Sequence, residues 1–75
     1  MTQIQDLTAR EIHQIRRRRL SAFVTLQDFG RVRLRRVGVD SMLRGWINVT
    51  HYEGEQTGEV VHNARVPVDC EVEIE

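Results

Sequence analysis

The 75-residue chain predicts a small, mainly β domain, with one N-terminal helix followed by five short antiparallel strands closed into a barrel. Three observations carry that expectation. Thr8-Ala9-Arg10-Glu11 has the form of a helix start, apolar residues recur at every second position from Leu20 onward, and Gly- or Asp-bearing turns punctuate that stretch. A chain of this length supports one core. Residues 1–75 are therefore taken as a single domain: an N-terminal segment over 1–7, a helix over 8–19 and a barrel over 20–75.

The helix comes first. The Thr8 hydroxyl is placed to accept from the Glu11 amide, and the Glu11 carboxylate to reach back to the Thr8 amide. Leu7 and Ile12 stand where a hydrophobic staple forms, and Ala9, Ile12, Ile15 and the stem of Arg19 share one helical face. Regular turns are expected from Ala9 to about Arg18. Leu20 to Gln27 is rich in strand formers, and Asp28-Phe29-Gly30 is a hairpin turn. Arg31 to Arg35 alternates strictly, with Val32 and Leu34 on one face and three arginines on the other. Gly38 to Gly45 is a bend, Trp46 to Glu53 a third strand, Gly54 to Gly58 a turn and Glu59 to Arg65 a fourth strand. Val66, Val68, Cys70, Val72 and Ile74 form one face of a fifth, opposite Asp69, Glu71, Glu73 and Glu75. Pro67 fits near its start or on an edge, where no ladder donor is needed.

Composition narrows the function classes. Cys70 is the only cysteine, so a disulfide framework is excluded and a reducing compartment favoured. No apolar run approaches membrane-spanning length and no signal-like segment opens the chain, so it reads as cytoplasmic, with no membrane partner. A core this small is marginal, which favours a homo-oligomer. His13, His51 and His62 lack metal-site spacing, Ser21 and Ser41 lack a nucleophile elbow, and no phosphate loop is present. The expectation is a non-enzyme without cofactor or metal. Trp46 and Phe23 are assigned to the core, and Phe29, at a turn tip, to contact with a base or partner.

Charge is the stronger signal. The chain is neutral, yet through Arg36 it carries nine arginines against three acids (+6), and thereafter two against eight (−6). Arg16, Arg17, Arg18 and Arg19 are adjacent. As a solvated helix end they would each add about 0.3–1 kcal/mol through the helix dipole. They also repel one another, and gripping phosphate relieves that repulsion while releasing counterions. Arg31, Arg33 and Arg35 form a second basic row. It could face nucleic acid, or pair with Asp69, Glu71, Glu73 and Glu75, within a chain or between subunits, at about 0.2–1 kcal/mol per cross-strand pair.

Ile12 to Leu20 (IHQIRRRRL), followed by Val24 to Gly30 (VTLQDFG), resembles the front of Hfq, the family of bacterial Sm-like RNA chaperones. Ile4-Gln5-Asp6 is similar to that family's Leu-Gln-Asp, Asp40 falls about where an aspartate introduces its third strand, and His62-Asn63-Ala64 lies near its Lys-His-Ala signature. The resemblance implies a five-stranded SH3/Sm-like barrel that assembles as a ring by edge-strand pairing. It also implies that Arg16 to Arg19 form a lateral RNA-binding rim, with Gln5 and Asp6 on the face that holds uridine-rich RNA. Arg35 and Arg36 stand where the family has a small glycine, and Met42 or Leu43 where it has a base-stacking aromatic. The similarity covers about the first forty residues. The expected function is non-enzymatic RNA binding. Its alternative is a structural or adaptor subunit that self-associates through Arg31, Arg33, Arg35 and Asp69, Glu71, Glu73. A DNA-binding regulator fits less well, because no second helix is present to seat the first in a groove.

Overall fold

The computed structural model describes residues 2–38 and 44–75, so the expectations placed on Asp40, Ser41, Met42 and Leu43 lie outside the described residues. In chain order the elements are β1 (Thr2–Gln3), a 3-10 turn (Ile4–Asp6), α1 (Ala9–Arg16), β2 (Ala22–Leu26), β3 (Gly30–Val37), β4 (Trp46–Tyr52), β5 (Val61–Pro67) and β6 (Glu71–Ile74).

The helix starts as its sequence dictates. Thr8 N donates to Glu11 Oε1 at 2.9 Å, and Glu11 N donates to Thr8 Oγ1 at 3.1 Å, closing both halves of the capping box. Leu7 and Ile15 are buried and Ile12 packs beside them, so one side of α1 lies against the core and β3.

The strands form one six-stranded antiparallel sheet in the order β1-β6-β2-β3-β4-β5. Val24, Val32, Leu34, Val37, Ile47, Val49, Val66 and Val72 face inward from it, and Ile4, Leu7 and Ile15 cover them from the N-terminal side. Each fully buried side chain of this kind stabilises the fold by about 1.5–3 kcal/mol.

Two expectations are corrected. The sheet is open, not a closed five-stranded barrel: β1 and β5 stand at its two edges. The N-terminal segment supplies the additional strand, with Thr2 opposite Val72 and Gln3 opposite Glu71, so it occupies an edge that closure would use. The expected fifth strand is broken in two. Pro67 ends β5, the Cys70 amide donates to the Pro67 carbonyl at 3.0 Å, and the chain turns before β6 begins. The alternation expected over Arg31 to Arg35 holds, with Val32 and Leu34 buried, and β3 then shifts phase. Leu34 lies opposite His51 but Arg36 lies opposite Thr50, so β3 carries one residue more than β4 across that step. This β-bulge leaves Arg35 and Arg36 both exposed before Val37 returns to the core.

Phe23 is buried, as expected, but on the outer face. It lies opposite Arg33 in the ladder, and the guanidinium carbons of Arg31 and Arg33 sit 3.9 and 4.9 Å from its ring centroid. Trp46 is only half-buried. No helix among the described residues is long and apolar enough to cross a membrane.

The N-terminal segment is therefore structural, and this is testable. Ile4 has 0% exposure. Ile4→Ala is expected to cost about 2–5 kcal/mol, a large share of the stability of so small a domain, in urea unfolding followed by circular dichroism. Thr8→Ala, which removes half of the capping box, is expected to cost about 1 kcal/mol in the same assay.

Candidate functional site

The helix ends two residues sooner than the run of arginines suggests, and the way it ends decides where they point. Arg17 is the C-cap. The Arg18 amide donates to the Ile15 carbonyl at 3.1 Å, and the Arg19 amide donates to the Gln14 carbonyl at 2.8 Å. Those two bonds make a Schellman turn, whose residue after the cap takes the left-handed conformation and is usually glycine. Here it is Arg18, at φ +61°, the only described non-glycine residue with positive φ. A Cβ in that region costs about 1–2 kcal/mol.

The turn divides the four arginines into two sets. Arg17 and Arg19 join Arg10, His13 and Gln14 around a shallow groove on the helix. Arg16 and Arg18 turn the other way, toward the bulge of β3. There they meet Arg35 and Arg36 around a cleft of about 200 Å³ lined by these four arginines. Two local irregularities thus converge. The Schellman turn aims Arg18, and the bulge puts two consecutive side chains of one strand on the same side.

Among the described residues, Arg16, Arg18, Arg35 and Arg36 form no ion pair. Arg18 and Arg35 also border a wider depression with Thr57, Gly58, Glu59 and Val61, and among the described residues Glu59 is the one carboxylate that lines either space. Four guanidinium groups around one cleft repel each other unless an anion enters. Forked N–H donors of this kind bind phosphate oxygens in pairs.

The other expected site residues lie elsewhere. Arg31 is committed within the chain: it pairs with Glu55, with Glu73 at 3.0 Å and with Glu75 at 3.4 Å. The hydrogen bond to Glu55, and after it the one to Glu73, hold its charge more firmly than usual. Arg33 donates to the Glu55 carbonyl at 2.9 Å and to Ser21 Oγ at 2.8 Å. The basic and acidic rows therefore meet inside one subunit, though only in part. β2 separates β3 from β6, so Arg31 reaches Glu73 over Phe23, while Arg35 joins the cleft instead. Asp69 and Glu71 are exposed and make no ion pair among the described residues. Gln5 and Asp6 are exposed on the 3-10 turn, where the Gln5 amide donates to the Val68 carbonyl at 3.1 Å; neither lines the cleft. Phe29 is 43% exposed, but its ring leans on His51 and His62 at centroid distances of 5.0 and 4.9 Å. It caps that pair of histidines and does not line the arginine cleft. No group of metal-ligating side chains assembles among the described residues.

Strict alternation along β3 gives Arg36 no part in a site and sets Arg35 toward the acidic strand; the structure places both in the cleft. A signal for this exists in Val32-Arg33-Leu34-Arg35-Arg36-Val37, where the apolar spacing lengthens from two to three. A strand that changes phase in this way contains a bulge.

No protein-family model, curated protein or solved structure matches the chain.

Two outcomes follow from this geometry. Arg18→Gly is expected to stabilise the fold by about 0.5–1 kcal/mol net, since relief of the left-handed Cβ outweighs the added freedom of the unfolded glycine. That corresponds to roughly 2–8 °C in thermal melts of a domain this size. Cys70 should be a slow nucleophile. Burial pushes its thiol pKa up, and the neighbouring charges of Asp69 and Glu71 push the same way. Because folding raises this pKa, the protonated thiol is favoured in the native state, and its contribution to stability is lost as the pH rises through the folded value. Alkylation by iodoacetamide at pH 8 is expected to be slower than in the urea-unfolded chain, and faster once Asp69→Asn and Glu71→Gln are combined.

Proposed function

We propose that this chain is a non-enzymatic RNA-binding protein of the Sm-like chaperone type, and that it grips the phosphate backbone in the cleft between the end of α1 and the bulge of β3. One observation carries the reading: Arg16, Arg18, Arg35 and Arg36, from two separate parts of the sequence, line one cleft, with no carboxylate among its described lining residues. A merely solvated helix end would spread its charges apart, and a strand row intended for acids would face them. Here the arginines that do have acidic partners, as Arg31 has, are separate from those that gather.

The resemblance of the first forty residues to the Hfq family supports RNA as the anion. The antiparallel sheet with open edges supports assembly by strand addition, since among the described residues β5 has a partner on one side only and Val60 and Val61 at its start are exposed. A homo-oligomer of this kind would place several arginine clefts around one assembly and raise its avidity for a long strand. The cytoplasm, where a lone cysteine stays reduced, is the matching compartment.

The test is salt dependence. Fluorescence anisotropy with a labelled oligouridine is expected to give a steep log-log slope of affinity against salt. Replacing Arg16, Arg18, Arg35 and Arg36 together by alanine lowers that slope by about 0.7 for each phosphate no longer neutralised. Replacing Arg31 and Arg33, which are committed to Glu55, Glu73 and Ser21, leaves it nearly unchanged. An unaltered slope in the first variant puts the grip elsewhere.

A further inference from the structure

The two edges of the sheet are not equivalent. The outer side of β6 is covered by the chain's own N-terminal segment. Thr2 and Gln3 pair with Val72 and Glu71, and the amides of Ile4 and Gln5 donate to the carbonyls of Cys70 and Val68 at 2.8 and 3.1 Å. The covering strand β1 has only two residues, and Ile4 after it is buried, so this edge offers an incoming strand very little backbone. At the other edge β5 runs for seven residues, Val61–Pro67, and among the described residues only β4 pairs with it. An open strand of that length is a template for pairing with another chain.

This asymmetry selects the symmetry of assembly. A ring built by strand addition is head-to-tail and joins two different edges of each copy. Here one of the two is already filled. A single open edge can pair with the same edge of a second copy, about a two-fold axis. With the axis perpendicular to the sheet, the two strands run antiparallel and each residue meets one on its own face. In β5, His62, Ala64 and Val66 lie opposite His51, Val49 and Ile47 on the buried face, which leaves Val61, Asn63 and Arg65 on the outer one. Glu59 and Val60 stand just before the strand, and pairing would draw them into it. Centred on His62, the register sets Glu59 opposite Arg65 of the second copy, twice over. It also sets the exposed Val60 beside Ala64 on the inner face. Centred on Ala64, the same edge would direct Glu59 toward Asp69 instead, and like charges directly opposite are destabilising.

We infer that this chain forms a closed two-fold dimer by antiparallel pairing of β5 with β5 of a second copy, centred on His62 and held at each end by Glu59 and Arg65. The inference rests on the reading of β5 as an assembly edge and replaces an open-ended or ring assembly with a pair. It also reaches the arginines: Glu59 borders the depression shared with Arg18 and Arg35, so its engagement by the second copy withdraws a carboxylate from their neighbourhood. An interface built mainly on one strand is small, so the dimer dissociates in the micromolar range.

The experiment is sedimentation velocity on nucleic-acid-free protein under reducing conditions at low salt, from about 1 to about 500 µM, the span over which such a dimer forms. The native chain is expected to pass from 8.8 kDa to twice that mass and to go no further. Glu59→Arg and Arg65→Glu should each weaken the dimer on the order of tenfold, because two attractive pairs become two repulsive ones. The two substitutions together restore the pairs with their signs exchanged and should recover dimerisation. Both side chains are exposed, so thermal melts of the dilute variants are expected to match the native chain. A dimer that the double variant does not recover overturns the inference. An assembly of three or more copies overturns it too, while strand addition at β5 stands. A monomer at every concentration overturns both.

Discussion

A strand that sends Val32 and Leu34 inward must send the residue at 36 inward too, unless its phase is shifted. The bulge in β3 makes that shift, and the positive side of the molecule depends on it. Without the additional residue Arg36 would be driven into a core of valines and isoleucines, where an unpaired guanidinium is not tolerated. With it, Arg35 and Arg36 both remain in solvent, Val37 seals the core behind them, and the two arginines come to face the end of α1. The helix meets this arrangement with a departure of its own. Its last turn closes in the standard hydrogen-bond pattern but places an arginine where the backbone suits glycine. Both irregularities oppose local preference, and both bring charge to the same place.

The neutral net charge hides a division of labour. Arg31 and Arg33 form a lid over Phe23, tied down by Glu55, Glu73, Glu75 and Ser21. These exposed ion pairs add little stability individually, but they remove acids from circulation on that flank and give the aromatic ring a cover. What is left over is a helix end and a strand bulge whose arginines have no carboxylate partner among the described residues. The second basic row is thus divided: Arg31 and Arg33 are committed within the chain, while Arg35 joins the arginines at the cleft.

Much of this is legible in the residues themselves. The capping box at Thr8 and Glu11, the period-two pattern of β2 and β4, the turn at Gly30 and the exposure of the arginine run all follow from local rules that the structure obeys. The features that are not legible depend on long-range partners or on the geometry of a turn. Thr2 and Gln3 carry no strand signal of their own, and become a strand because Glu71 and Val72 present an open edge. The alternation from Val66 to Ile74 looks continuous, yet Pro67 cannot donate to a ladder and the chain breaks beside it. The separation of Arg16 and Arg18 from Arg17 and Arg19 needs the geometry of the turn, which residue letters do not encode.

The pairing of Thr2 with Val72 has a consequence for the order in which the molecule assembles. The hairpins β2–β3, β3–β4 and β4–β5 join segments close in sequence and close small loops, whereas the β1–β6 contact must close a loop that includes nearly the whole chain. Such contacts gain little until the rest is in place, since their ordering entropy is not recovered locally. The N-terminal strap therefore belongs to the last events of folding. Until Ile4 inserts, β6 is an exposed edge beside a core still open to water, so the same few residues that complete the sheet also end its vulnerability to pairing with another chain.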